Sequence, residues 1–107
     1  MSAGSIGGSA SADEAPWTAH AEIDLLEIGA FIALDRPDTA RGFVQRLVAR
    51  AGKARSFPRS GRIVPEAGDP SVRELIEGNY RIVYRLKDDF VEIAAIQHGA
   101  RLMKGIG

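Results

Sequence analysis

Residues 71–98 constrain the fold more than any other part of the chain. They contain three β-rich runs separated by two tight-turn signals, Gly78-Asn79 and Asp88-Asp89. A two-residue Gly-Asn loop between such runs marks a hairpin, because glycine takes the positive φ that a II′ turn requires. The stretch therefore predicts a three-stranded antiparallel meander. In that register Glu77 faces Tyr80, Leu75 faces Ile82 and Arg73 faces Tyr84. The second turn sets Leu86 opposite Val91, Tyr84 opposite Ile93 and Ile82 opposite Ala95. Side chains alternate between faces along a strand. One face is thus apolar: Leu75, Tyr80, Ile82, Tyr84, Leu86, Val91, Ile93 and Ala95. The other carries Glu74, Ile76, Arg81, Val83, Arg85, Glu92, Ile96 and His98, which puts Arg81 and His98 on one surface. Arg85 and Glu92 face each other as a cross-strand ion pair.

An apolar sheet face needs a partner, and the preceding chain supplies one. From Ala19 to Leu34, Ala21, Leu25, Ile28 and Ile32 recur at helical spacing, widened by Leu26 and Phe31, with Asp24 and Glu27 on a solvated back face. The helix is expected to stop near Asp35-Arg36-Pro37, because proline disfavours helix in the residue before it. Pro37 then suits the first turn of a second helix, with Asp38 near its positive end. That helix runs to about Arg55, its apolar set being Ala40, Phe43, Val44, Leu47, Val48, Ala51 and Ala54. So short a connection implies an antiparallel helical hairpin. Ala15-Pro16-Trp17-Thr18 reads as a short edge strand, where proline is tolerated. Residues 57–70, with three prolines and two glycines, read as a long loop. The expected fold is α+β, a helical hairpin packed on a small, mainly antiparallel sheet in the order β-α-α-β-β-β. Residues 1–14 read as a flexible leader or appended segment, and 15–107 as a single domain.

At 107 residues the chain supports one modest core, and no apolar run is long enough to span a membrane. The absence of cysteine fits a reducing compartment, here the cytoplasm, and excludes disulfides and thiolate metal sites. Formal net charge is zero, yet residues 13–38 hold seven acids against one arginine and residues 41–62 hold seven bases and no acid. Either the two segments neutralise each other across the helical pair, or the second offers a basic surface to an acidic or phosphate-rich partner.

Phosphate-binding glycine loops, zinc signatures, nucleophile elbows and dinucleotide fingerprints do not occur, so no metal or cofactor is expected. What remains is an acid–base site built from His, Arg and Glu, or no active site. His98 ends a strand beside Arg81, and histidine changes charge near neutrality; the alternative is a surface histidine at a strand end. Arg81, flanked by Tyr80 and Ile82, suits a phosphate or a carboxylate. Arg62, following Gly61, either binds an anion or caps the second helix.

Taken in order, these stretches resemble the RelE/ParE toxins of bacterial type II toxin–antitoxin systems, from Trp17 to Met103. The resemblance rests on Trp17-Thr18 followed by Ala21-Glu22-Ile23-Asp24-Leu25, on Ala40-Arg41 with Phe43, and on Phe57-Pro58-Arg59-Ser60-Gly61-Arg62. It continues in Val64-Pro65-Glu66, Arg73-Glu74-Leu75, Tyr80-Arg81-Ile82-Val83-Tyr84-Arg85 and His98-Gly99-Ala100-Arg101. RelE-like members cut mRNA on the ribosome, which would make Arg81 the phosphate cation, His98 the acid and Glu66 the base. No tyrosine follows His98, and the lysine-rich stretch of RelE-type members is missing. The resemblance therefore implies the ParE-like branch, associated with poisoning DNA gyrase by protein–protein binding without catalysis, with the ribosome-dependent endoribonuclease as the alternative and a degenerate, inactive member as the third reading. Arg59, Arg62, Arg73 and Arg101 are then the partner- or anion-binding residues. It also implies a cognate antitoxin that wraps an extended segment over the toxin in a hetero-oligomer, drawing on the acidic first helix, the basic second helix and the exposed sheet.

Overall fold

A computed structural model describes residues 16–99; the leader at 1–14 and Arg101 lie outside them. The elements run α1 (Ala19–Ala33), α2 (Pro37–Ser56), β1 (Arg62–Ile63), a 3-10 turn (Pro65–Ala67), β2 (Val72–Glu77), β3 (Tyr80–Leu86) and β4 (Val91–His98). The four strands form one antiparallel sheet in chain order. Both helices pack on one face of it. The architecture is the α+β one expected, with a two-residue strand and a helical turn inside the segment read as a loop.

Local chemistry explains the boundaries. Thr18 caps α1, its Oγ1 accepting from the Ala21 N–H at 3.0 Å. Pro37 opens α2, where its missing N–H costs nothing. Gly78 has φ +59° and turns β2 into β3. The first hairpin keeps the expected register, Glu77 with Tyr80, Leu75 with Ile82 and Arg73 with Tyr84. The main core lies between helices and sheet: Ala21 and Ile28 of α1, Phe43, Leu47, Ala51 and Ala54 of α2, and Ile82, Tyr84, Val91, Ile93 and Ile96.

The second hairpin corrects the expected register. Leu86 pairs with Val91 and Tyr84 with Ile93, but Val83 pairs with Ala95 and Ile82 with Ile96. Ala94 is therefore an extra residue on β4, a bulge that reverses the facing of everything after it. Ile96 enters the helix-side core, whereas Ala95 joins Val64, Val72 and Val83 in a smaller cluster on the open face. His98 pairs with Tyr80 and Gln97 with Arg81, so His98 and Arg81 lie on opposite faces.

The entry segment holds this bulge. Trp17 bridges Ile93 in parallel, with Ile93 N–H donating to Pro16 O at 2.8 Å and Thr18 N–H to Ile93 O at 3.0 Å. The Thr18 hydroxyl donates to Ala94 O at 3.1 Å, and the Asp24 carboxylate accepts the Ile96 N–H at 2.9 Å. Asp24 is thus half-buried against the sheet edge rather than on a solvated back face. Leu26 and Phe31, expected in the buried stripe, are 72% and 69% exposed.

Thr18→Val removes both the cap acceptor and the donor to the bulge while keeping the volume. An unfolding titration in denaturant should register a loss of about 1–2 kcal/mol.

Candidate functional site on the open face of the sheet

The meander register sets Glu74 opposite Val83 and Ile76 opposite Arg81, so Glu74 and Arg81 are diagonal neighbours on the open face. The Glu74 carboxylate is buried, at 3% residue exposure, and sits between two guanidinium groups. Arg81 Nη1 donates to Oε1 at 2.8 Å, and Arg62 Nε, reaching across from β1, donates to Oε2. Arg81 is itself 8% exposed, and its Nη2 lies 3.4 Å from Glu66 Oε2 on the 3-10 turn. The result is a row of alternating charges, Arg62–Glu74–Arg81–Glu66. Glu74 drives the Arg62 pKa still further up through that hydrogen bond and its charge.

The other side of the same hairpin fixes the loop that carries this row. The Tyr84 hydroxyl accepts the Gly61 N–H at 3.0 Å and donates to Pro58 O at 2.7 Å. Arg73 Nη1 donates to Arg59 O at 3.2 Å and Gly61 O at 3.0 Å. A side chain at Gly61 would place its Cβ 2.6 Å from Glu74 O and 2.5 Å from Tyr84 Oη, so only glycine fits beneath the loop. Asp69 Oδ1 accepts from the Ser71 N–H and hydroxyl, which holds its pKa down and sets the entry to β2.

The predicted site residues therefore divide. Arg81 and Glu66 come together, and Arg62 joins them through Glu74, a residue to which sequence reasoning gave no role. Its signal was present: the hairpin register alone makes Glu74 diagonal to Arg81. His98 stands apart on the helix side, its ring edge-on to Tyr80 at 5.3 Å. Arg59 is exposed, Arg73 spends its guanidinium on the loop backbone, and Arg101 is outside the described residues. Arg85 does face Glu92, whose carboxylate is 3.8 Å from Lys87 Nζ. Of the two readings of the charge segments, no base of α2 pairs with an acid of α1 among the described residues; Arg46 and Arg50 bind Glu77 of β2 at 3.4 and 3.3 Å.

A second surface lies on α1. Ile23, Leu26, Ala30 and Leu34 recur at three- and four-residue spacing on its outer side, and Leu34 is 86% exposed. With Val48 of α2 and Trp17, Leu26 borders an open groove of about 380 Å³. Contiguous exposed apolar surface of this kind is common where proteins meet partners. Among the described residues no helix is long and apolar enough to cross a membrane, and no group of three or more His, Asp or Glu is placed to hold a metal ion.

Comparison with known proteins fits this architecture. Residues 16–103 match the family of the ParE toxin of the parDE type II toxin–antitoxin system. The chain belongs to the ParE toxin family. The match spans the entry segment that holds the bulge, both helices and the whole sheet. A curated relative from Sinorhizobium fredii (strain NBRC 101917 / NGR234), named "Putative toxin Y4kP", is 38% identical over 84 residues, covering 77% of this chain and 83% of that protein. The solved chromosomal ParDE toxin–antitoxin system from P. aeruginosa contains a chain of the same fold, with a TM-score of 0.67 and 24% identity over 79% of this chain and 94% of that one.

Two outcomes follow from the geometry. Glu74→Gln leaves Arg81 in a buried setting without its carboxylate and should cost about 3 kcal/mol, whereas Glu66→Gln, at the wet end of the row, should cost under about 1 kcal/mol in the same unfolding titration. Burial raises the Tyr84 pKa above its ordinary value near 10. The unfolded chain then releases this proton first, so the Tyr84 contribution is intact below about pH 10 and lost as pH rises through the folded value. Tyr84→Phe should unfold more easily by about 1–3 kcal/mol at pH 8, and the gap to the parent should narrow above pH 10.

Proposed function

We propose that this ParE-family toxin stops growth in the cytoplasm by binding and poisoning DNA gyrase, with no catalysis of its own, and that a cognate antitoxin neutralises it in a hetero-oligomeric complex. One observation carries the choice of mechanism: the Ala94 bulge sends Arg81 and His98 to opposite faces of the sheet. Cleavage of RNA by its own 2′-hydroxyl needs a base, a phosphate-binding cation and an acid around one phosphorus atom. The residues nominated for those roles do not converge. Arg81 is already committed to the buried Glu74 carboxylate, and Glu66 neutralises its other edge. A binding function asks less of this face. It needs a rigid loop presenting exposed cations, which Arg59 and Arg62 provide, joined in this reading by Arg101. Arg73 acts from beneath, by holding the loop that bears them. Tyr84 and Gly61 supply the rigidity.

The antitoxin has a different surface to occupy. The outer stripe of α1 and the adjoining Val48 groove suit the apolar side of an amphipathic segment, and the exposed Arg41 and Arg55 of α2 favour acids on its flank. This leaves the open face of the sheet for the target.

Induction without antitoxin should produce gyrase-cleaved DNA and an SOS response while transcripts remain intact. Codon-phased transcript cuts that vanish in Arg81→Ala or His98→Ala would instead establish the ribosome-dependent endoribonuclease. For the antitoxin surface, combined Leu26→Glu and Leu34→Glu should raise the complex dissociation constant at least about 30-fold in calorimetry, with the fold unchanged by circular dichroism.

A further inference from the structure

The bulge that removes His98 from the open face gives it a new setting. Between α1 and the end of β4 lies a cleft of about 590 Å³, a volume typical of ligand sites. Its chemistry comes from His20, Asp24, Glu27 and Phe31 on α1, Tyr80 on β3 and His98 on β4. Among the described residues lining it there is no lysine or arginine, and the fixed charges these residues bring are the two carboxylates. Asp24 is held in place by the Ile96 N–H and by His20 Nε2 at 3.4 Å. Tyr80 is braced between Phe43, at 5.5 Å, and His98. Phe31 exposes most of its ring at the rim with no core role to explain it.

We infer that this cleft is a binding site for the arginine side chain of a partner polypeptide. The exposed Glu27 carboxylate, backed by the charge of Asp24, repels an anion, and a neutral apolar group leaves Glu27 unused. A guanidinium satisfies both features at once, stacking its plane on an aromatic ring while its N–H groups meet a carboxylate in pairs. Lysine matches less well, because its compact, strongly hydrated charge lacks the flat face. The cleft is open on one side and larger than one side chain, which suits a segment that inserts an arginine rather than a free small cation.

The site is tested on the full chain by following ring resonances of His20, Tyr80 and His98 during titration with acetyl-Gly-Arg-Gly-amide. Its citrulline counterpart, the same shape without the charge, is the control. Saturable shifts are expected, at least about tenfold weaker with citrulline. Glu27→Gln and Phe31→Ala, both at exposed positions, should each weaken binding roughly three- to tenfold. Equal binding of citrulline, or affinity unchanged in both variants, would overturn the assignment. So would an Arg101→Gln variant that moves the same resonances without added peptide, since the chain's own arginine would then be the occupant. The readout involves neither gyrase nor antitoxin, so it succeeds or fails separately from the toxin mechanism.

Discussion

Thr18 sits where three demands meet. Its hydroxyl oxygen accepts the Ala21 N–H, one of the free donors of the first turn of α1, its hydroxyl proton goes to Ala94 O, and its backbone N–H joins the edge of β4. A helix cap and a strand bulge are thereby made one structure, and each supports the other. Without the cap, α1 begins with unsatisfied donors. Without the bulge, β4 would continue in simple alternation, Ile96 would leave the core and His98 would join Arg81. Both the packing of the helices and the chemical character of each sheet face follow from where that one extra residue is placed. Asp24 reinforces the choice by taking the Ile96 N–H from the side of α1.

The open face shows a second constraint, the burial of the Glu74 carboxylate. A carboxylate at 3% exposure is costly unless its lone pairs are filled, and here two guanidinium groups fill them. Such a network adds little net stability over an apolar cluster, but losing one member is expensive. That asymmetry favours a single arrangement of the loop. Arg62 must lie over Glu74, which fixes the course of β1, and Tyr84 with Arg73 fixes residues 58–61 from the opposite side. A hairpin of the sheet therefore grips the preceding loop from both faces. The cations exposed on that loop are held still without belonging to a long strand.

Much of this was legible in the sequence, and the failures have physical causes. Pro37 and the spacing of the apolar residues located both helices to within about a residue, and Gly78 fixed the first hairpin. The bulge escaped because Ile93-Ala-Ala-Ile96 satisfies two registers equally well until size is considered. Two alanines fit either face, whereas Ile96 fills a helix-side core that Ala95 would leave open. The three-residue spacing between the two isoleucines was the available clue. On α1 the ambiguity was of another kind. A helix with apolar residues on two sides does not declare which of them meets the sheet, and periodicity assigned Leu26 and Phe31 inward. Their exposure leaves a second apolar side of α1 that the described residues do not cover. The short β1 was hidden by the prolines around it, and Glu74 was visible in the register but read only as one member of a mixed face.

The placement of these features on α1 bears on how a partner would hold the protein. The outer stripe of Leu26, Ala30 and Leu34 and the acidic, aromatic wall of Glu27 and Phe31 are adjacent sides of one helix. A single chain crossing α1 meets an apolar surface and an arginine site within a few residues of each other. Joining two such contacts converts the second into an intramolecular event, so modest individual affinities sum to a tight complex when the spacing is right. The same geometry brings discrimination. A segment with the right apolar face but no arginine at that spacing keeps one contact and leaves the Glu27 carboxylate to solvent. Apolar burial then sets the strength of association, and the cleft sets which sequence is accepted.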